Sequence, residues 1–264
     1  MAKSNRKKNI TKKPGFRLGM IASGIMIIFA LIFLFLWFSY RSLFNNNAHF
    51  VLKRVIVRSG GWWKLRSKEV ETILDLTPGK TNIFDINLAE KRAQLETEPS
   101  IEKTSISRVL PDTLSIDIIE RIPTAFLYKS EYPKVVDEHG IVMLTKSCVD
   151  VDHNLPVITG FRAAKDDSLP GKELHQVLPA IKFLNLASKH IPEMHISRIS
   201  MSDPKFFNSA VSIPGLRKKY TLYIARKGLS QKIDVLKVLL DEVARNRPDA
   251  KIIDMRYEGQ AVVK

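Results

Sequence analysis

The sequence predicts an α+β protein hung from a membrane: an N-terminal transmembrane helix, a compact β-α-α-β-β module, then a longer mixed α+β domain. Three observations carry this prediction. Leu18 to Tyr40 contains no charged residue. Val51 to Arg121 reads as strand, helix, helix, strand, strand. Beyond Pro123, short strand patterns are interrupted by two amphipathic helical stretches.

Residues 1–17 carry seven positive charges (Lys3, Arg6, Lys7, Lys8, Lys12, Lys13 and Arg17) and no acid. The apolar run that follows is 23 residues long, roughly 34 Å as a helix and enough to cross a hydrocarbon core of about 30 Å. Phe35, Trp37, Phe38 and Tyr40 crowd its far end, where aromatic rings favour the membrane interface. A cleaved signal peptide would have an apolar region of about 7–15 residues and an A-x-A-like exit; this run is longer and leaves through Ser39-Tyr40-Arg41. The charge bias places the tail in the cytoplasm and the rest outside the cytoplasmic membrane. The net charge is +15, and removing the tail's seven leaves eight spread among many acids. That is a solvated basic surface near anionic lipid, with no aromatic-interleaved run that would suggest nucleic acid. Cys148 is the single cysteine, so no internal disulfide holds the exported part, whose stability must come from its core.

Asn45-Asn46-Asn47 reads as a polar connector, and Val51–Val57 as a strand with Val51, Val55 and Val57 on one parity. Gly60-Gly61 breaks it. Ser67 is the expected N-cap of a helix whose stripe is Val70, Ile73 and Leu74, closed by Thr77-Pro78-Gly79-Lys80. Asn87 with Glu90 reads as a capping box for a helix from Leu88 to about Leu95, closed by Pro99. Strands follow at about Ile101–Val109 and Thr113–Arg121, joined by a type I turn at Pro111-Asp112. In the second, Leu114, Ile116 and Ile118 face one way and Ser115 and Asp117 the other, as in a half-buried sheet.

In the C-terminal domain, Val135-Val136, Asp137-Glu138-His139-Gly140 and Ile141-Val142 read as strand, turn, strand. A helix from about Glu173 to Lys189 carries Leu174, Val177, Leu178, Ile181 and Leu184, with a kink expected at Pro179. Strands are predicted at Ile196–Ser200, Phe206–Ile213 and Lys219–Ala225. Ser230 opens a second helix through Ile233, Leu236, Leu239, Leu240 and Val243, ending near Arg247-Pro248. Ile252–Tyr257, a Glu258-Gly259 turn and Gln260–Lys264 finish the chain. No internal repeat is visible. The expected boundaries are 1–17 for a cytoplasmic tail, 18–40 for the span, 41–49 for a linker, 50–122 for the module and 123–264 for the C-terminal domain.

The residues do not assemble into an active site. Glu120 and Arg121 are adjacent on a strand and point to opposite faces, so they cannot act as a mutual acid–base pair. Pro78-Gly79-Lys80-Thr81 matches the end of a phosphate loop, but Leu74 occupies the position of the required earlier glycine. His190 and His195 flank Pro192, which spoils a helical alignment of ligands, and no cysteine or third histidine is near. Cys148 has no adjacent histidine and no Gly-x-Ser-x-Gly elbow occurs. No catalytic, metal or cofactor site and no small-molecule substrate is predicted.

Leu110-Pro111-Asp112-Thr113-Leu114, Glu120-Arg121-x-Pro123-x-Ala125, Val136-Asp137-x-x-Gly140 and Ile253-Asp254-Met255-Arg256-Tyr257 follow a basic tail and one span in that order. This succession resembles the bacterial cell-division family FtsQ/DivIB over nearly the whole chain. The resemblance implies a POTRA module at 50–122, a "β domain" at 123–264, a location in the cytoplasmic membrane enriched at the septum, and a scaffolding role without catalysis. It implies divisome partners: FtsB- and FtsL-like coiled-coil proteins at the terminal region, with FtsK-like and FtsW/FtsI-like proteins as further partners. The basic middle, 147–172, follows no motif of the family.

Two binding surfaces follow. The last strand is expected at a sheet edge, where unpaired N–H and C=O groups accept an added strand. Ala261, Val262 and Val263 would supply its contacts and Tyr257 an aromatic anchor; the alternative for Tyr257 is a core position. By resemblance, recruitment residues of the module match Ile106, Arg108 and Glu120, which otherwise read as ordinary strand residues. Two rival functions share these features: a POTRA-containing, membrane-anchored export or insertion factor, and a membrane-tethered cell-wall enzyme. The first usually pairs the module with a membrane barrel, which this sequence does not suggest; the second needs convergent polar residues in a pocket.

Overall fold

A computed structural model describes residues 14–41, 47–127, 133–148, 151–163, 169–213, 218–247 and 249–264. Most of the basic tail, residues 42–46 of the linker, residues 149–150 and 164–168 of the basic middle, and Pro248 lie outside the described residues. The first helix, α1 (Pro14–Tyr40), contains a stretch from Ser23 to Tyr40 long and apolar enough to cross a membrane, with none of it buried in the protein.

The chain forms two compact units. The smaller gathers the N-terminal part to Arg54, Thr77–Asn87 and Arg108–Thr113; the larger holds Val55–Leu76, Leu88–Ser107 and Leu114–Lys264. In the smaller unit, Phe50 to Leu52 do not belong to the first strand, although the parity of Val51 places it there. Their backbone pairs instead with the turn segment: Leu52 N–H donates to Thr81 O (2.8 Å), Gly79 N–H to Leu52 O (2.7 Å) and Ile83 N–H to Phe50 O (2.9 Å). Pro78 and Gly79 make this possible, because Lys80 N–H closes a turn onto Thr77 O (3.1 Å) with Gly79 at φ +86°. Pro111-Asp112 do form a corner, with a cis Leu110–Pro111 peptide. Asp112 O accepts from the Lys53 and Arg54 amides, and its carboxylate pairs with Lys53 Nζ at 3.1 Å.

The larger unit contains most of a three-stranded sheet, ordered β1 (Arg54–Arg58), β3 (Thr113–Glu120), β2 (Ile101–Val109). Its helices are α2 (Ser67–Ile73) and α3 (Leu88–Leu95). Leu95, Ile101, Leu114, Ile116, Val70 and Leu74 are fully buried. Two local expectations change. Ser67 is the first helical residue, and Arg66 holds the cap position without a side-chain bond. Ser115 is as buried as its apolar neighbours, because β3 is the central strand.

The remainder of the larger unit carries a nine-stranded sheet ordered β12-β11-β10-β9-β8-β7-β4-β5-β6. Its strands are β4 (Ala125–Leu127), β5 (Lys134–Val136), β6 (Val142–Leu144), β7 (Val157–Thr159), β8 (His195–Ser200), β9 (Phe206–Ile213), β10 (Lys218–Ala225), β11 (Ile252–Met255) and β12 (Val262–Val263). Helices α4 (Leu178–His190) and α5 (Leu229–Asn246) link parallel neighbours, α4 between β7 and β8 and α5 between β10 and β11, as parallel pairs require. Period-2 burial along β9 and β10 presents Phe207, Val211, Leu222 and Ile224 to the helices, and Phe183 of α4 stacks on Phe207 with ring centroids 5.4 Å apart. Pro179 does not kink α4: it sits in the first turn, where its missing N–H has no helical partner to lose. Ser230 likewise lies inside α5, whose cap position is Gly228 at φ +64°.

Candidate functional site: the C-terminal sheet border

β12 lies at one border of the nine-stranded sheet, antiparallel to β11 with Val262 opposite Asp254 and Val263 opposite Ile253. Lys264 N–H donates to Ile252 O (3.0 Å) and Ile252 N–H to Lys264 O (2.8 Å). In an antiparallel ladder the adjacent pair is then non-bonded, so the N–H and C=O of Val263 point outward. Arg247 Nη1 reaches the Val263 carbonyl at 3.2 Å; among the described residues no strand lies beyond β12. Val262 is 37 % exposed, Ala261 is exposed, and Val263 is half-buried against the core.

Beside this border, β11 runs into a segment braced from two sides. Lys232 of α5 donates from Nζ to Met255 O (3.1 Å) and Tyr257 O (2.8 Å). Arg256 folds back on Asp254, with Nε 2.9 and 3.1 Å from the two carboxylate oxygens and Nη2 2.6 Å from Oδ2. Its guanidinium lies 5.0 Å from the Phe206 ring, 5.1 Å from Tyr223 and 5.8 Å from Tyr257. The Arg256 bond holds the Asp254 carboxyl below the usual carboxylate range, and the same bond raises Arg256. The Tyr257 ring is left 56 % exposed, so it is an outward group and not a core residue. A groove of about 500 Å³, lined by Gln231, Lys232, Val235, Arg256, Tyr257 and Ala261 among others, adjoins it.

The three candidates on the module are placed differently. Ile106 is half-buried on β2, a border strand of the smaller sheet. Arg108 donates from Nε to Ile83 O (2.7 Å) and from Nη2 to Ile86 O (2.6 Å), and so pins the 83–86 loop. The Glu120 carboxylate accepts the Trp62 and Trp63 amides at 2.8 and 2.9 Å and the Ser59 hydroxyl. Gly61 is what permits this approach: a Cβ there would meet Glu120 Oε2 at 2.5 Å. Arg121, on the opposite side, donates from Nη1 to the buried Asp137 (2.9 Å), whose other oxygen accepts the amides of His139 and Ile141. The Glu120-Arg121 and Val136-Asp137-x-x-Gly140 motifs are therefore two halves of one structural joint. Burial, with a smaller contribution from the Glu120 charge, pushes the Cys148 thiol up to about 11, which leaves it protonated and unreactive at neutral pH. His190 bonds Asp234 at 2.7 Å and ties α4 to α5. Lys232, Asp254 and Arg256 organise the border, yet residue types alone gave Lys232 no signal, since it sits beside the apolar stripe of α5 like any solvated lysine.

The family model for the FtsQ-type POTRA domain matches residues 54–121. The chain is 22 % identical to the cell division protein FtsQ of Koribacter versatilis over 182 residues, 69 % of this chain and 52 % of that protein. The chain carries an FtsQ-type POTRA domain and resembles FtsQ/DivIB proteins over most of its length. It is also 25 % identical to FtsQ of Geotalea daltonii over 229 residues (83 % of this chain, 77 % of that one), and 24 % identical to DivIB of Bacillus subtilis over 136 residues (52 % and 49 %). It thus spans about half the length of the Koribacter and Bacillus relatives. These similarities support a division-related role, and α1 has the length and composition of a membrane span.

Proposed function

We propose that this chain is a non-enzymatic scaffold of the bacterial division machinery, with its tail in the cytoplasm, its folded part outside the cytoplasmic membrane, and enrichment at the septum. Residues 50–122 act as its POTRA domain and 123–264 as its β domain. Its working surface is the β12 border, where a partner of the FtsB or FtsL kind adds a strand against Val263 while Tyr257 anchors its side chains; Ala261 and Val262 flank that contact. Contacts of FtsK-like and FtsW/FtsI-like proteins fall to the module's outer strand at Ile106. The observation that supports this reading is the outward Val263 backbone beside an exposed, rigidly braced tyrosine.

Val263→Pro tests it, because proline removes the outward N–H without touching a bond the ladder uses. In pull-downs of the full chain from division-competent cells, capture of the coiled-coil partner should fall about fivefold, the worth of one backbone hydrogen bond at about 1 kcal/mol net. A photo-crosslinking scan along 252–264 should give its strongest products at 257 and 261–263. Undiminished capture, or crosslinks to division proteins only from the module, would overturn strand addition at this border.

A further inference from the structure

Within the segment Gly60 to Lys68, Lys64, Leu65 and Lys68 are exposed. Leu65 is 91 % exposed, more than any other large apolar residue outside α1, and it has φ +67°. A branched apolar residue in that region is a genuine outlier, and such outliers persist where the surroundings over-determine them. The surroundings here do so. Glu120 holds the Trp62 and Trp63 amides, Trp63 is buried with its indole N–H on Ser100 Oγ (3.1 Å), and Arg66 N–H closes a turn onto Trp63 O (3.2 Å). On the outer side, the Arg66 guanidinium stacks 3.7 Å over the half-buried Trp62 ring. The same guanidinium pairs with Glu69 at 2.5 Å, whereas the flanking Lys64 and Lys68 are exposed and enter no ion pair among the described residues. The loop is thus an exposed knob: leucine at the tip, a tryptophan–arginine stack paired with Glu69 behind it, lysines on both sides.

We infer that this knob docks on the anionic surface of the bilayer in which α1 is anchored. Lysine is depleted from protein–protein interfaces, whereas Trp, Leu and Lys together are the composition of elements that lie in the lipid headgroup boundary. Lysines near an anionic leaflet are attracted within a Debye length of about 8 Å. Leu65 follows Tyr40 by 25 residues, at most about 85 Å of extended chain, so a membrane-inserted α1 tethers the knob to the bilayer. The inference is independent of strand addition at β12.

The test places a nitroxide at Leu65→Cys in a Cys148→Ser background, using the full chain in vesicles of phosphatidylethanolamine with phosphatidylglycerol. Lys205→Cys, an exposed position elsewhere in the larger unit, is the reference. The label at 65 should collide with a water-soluble nickel chelate at least about fivefold less often than the reference, and more often with oxygen, as in the headgroup–acyl boundary. High salt, or Lys64→Glu with Lys68→Glu, should abolish that protection while circular dichroism stays unchanged. Equal chelate access at 65 and 205 in every lipid overturns the inference. So does protection that arises only when a second purified protein is added, which would make the knob a protein contact.

Discussion

The Glu120 carboxylate and the Tyr257 ring both sit at the end of a strand, and the fold treats them in opposite ways. Around Glu120, every polar bond turns inward: the carboxylate receives two amides and a hydroxyl, and neighbouring Arg121 seals the turn at Asp137. Around Tyr257, the bonds of Lys232 and the Asp254–Arg256 pair fix the backbone and leave the ring and the Val263 edge facing out. The same two devices, a charged side chain on backbone groups and an ion pair, build a closed joint in one region and a presented surface in the other. Arg108 belongs with the closed case, since its donors are engaged by Ile83 and Ile86.

That contrast can be broken most forcefully at Glu120. Glu120→Ala leaves the Trp62 and Trp63 amides without their acceptor and should destabilise the protein by about 3 kcal/mol in a urea titration, several charge-assisted bonds at once. Partner capture by the protein that remains folded should stay within about twofold of wild type, as the carboxylate is not presented. A large binding loss with little change in stability would move Glu120 into the presented class. Tyr257→Ala should behave in the reverse sense: about 2 kcal/mol, or roughly thirtyfold, in partner affinity, with an unchanged unfolding midpoint, because an exposed ring contributes little to the core.

Leu65→Gly sharpens the comparison from a third position. Glycine accepts φ +67° without cost, so the variant should be more stable than wild type by about 1 kcal/mol, measured by the same titration; a destabilised variant would mean the leucine packs within the fold. The smallest effect is expected from acid. Asp254 is held low by Arg256, so its contribution is complete above about pH 5 and is lost only as pH falls through the lowered value. Partner retention should therefore be flat from pH 8 to about 5 and decline below about 4, and Asp254→Asn should remove that decline.

Long periodic elements were legible from residues alone: β2, β3, β9 and α5 occupy the stretches their apolar spacing marks. What escaped was set by distant partners. β4 and β7 are three residues each, too short to show a period, and exist because β5 and β8 complete them. Ser67 was misplaced by one residue and Pro179 stands in the first turn of α4, not at a mid-helix kink, since a proline or a serine marks a helix start without saying whether it stands before or within it. At the border, the motif Asp254-Met255-Arg256-Tyr257 was visible, but its brace was not, because Lys232 meets it only after α5 has folded back along β10.

β12 is two residues long. A strand laid against it gains no more than a couple of main-chain links, each worth about 1 kcal/mol net, far short of a lasting complex. Such a stub is too brief to zip two copies of the protein together, which guards it against self-association. Selectivity then has to come from the incoming chain's side groups meeting the tyrosine and the arginine: the backbone sets the register of the newcomer, and its sequence decides whether it stays.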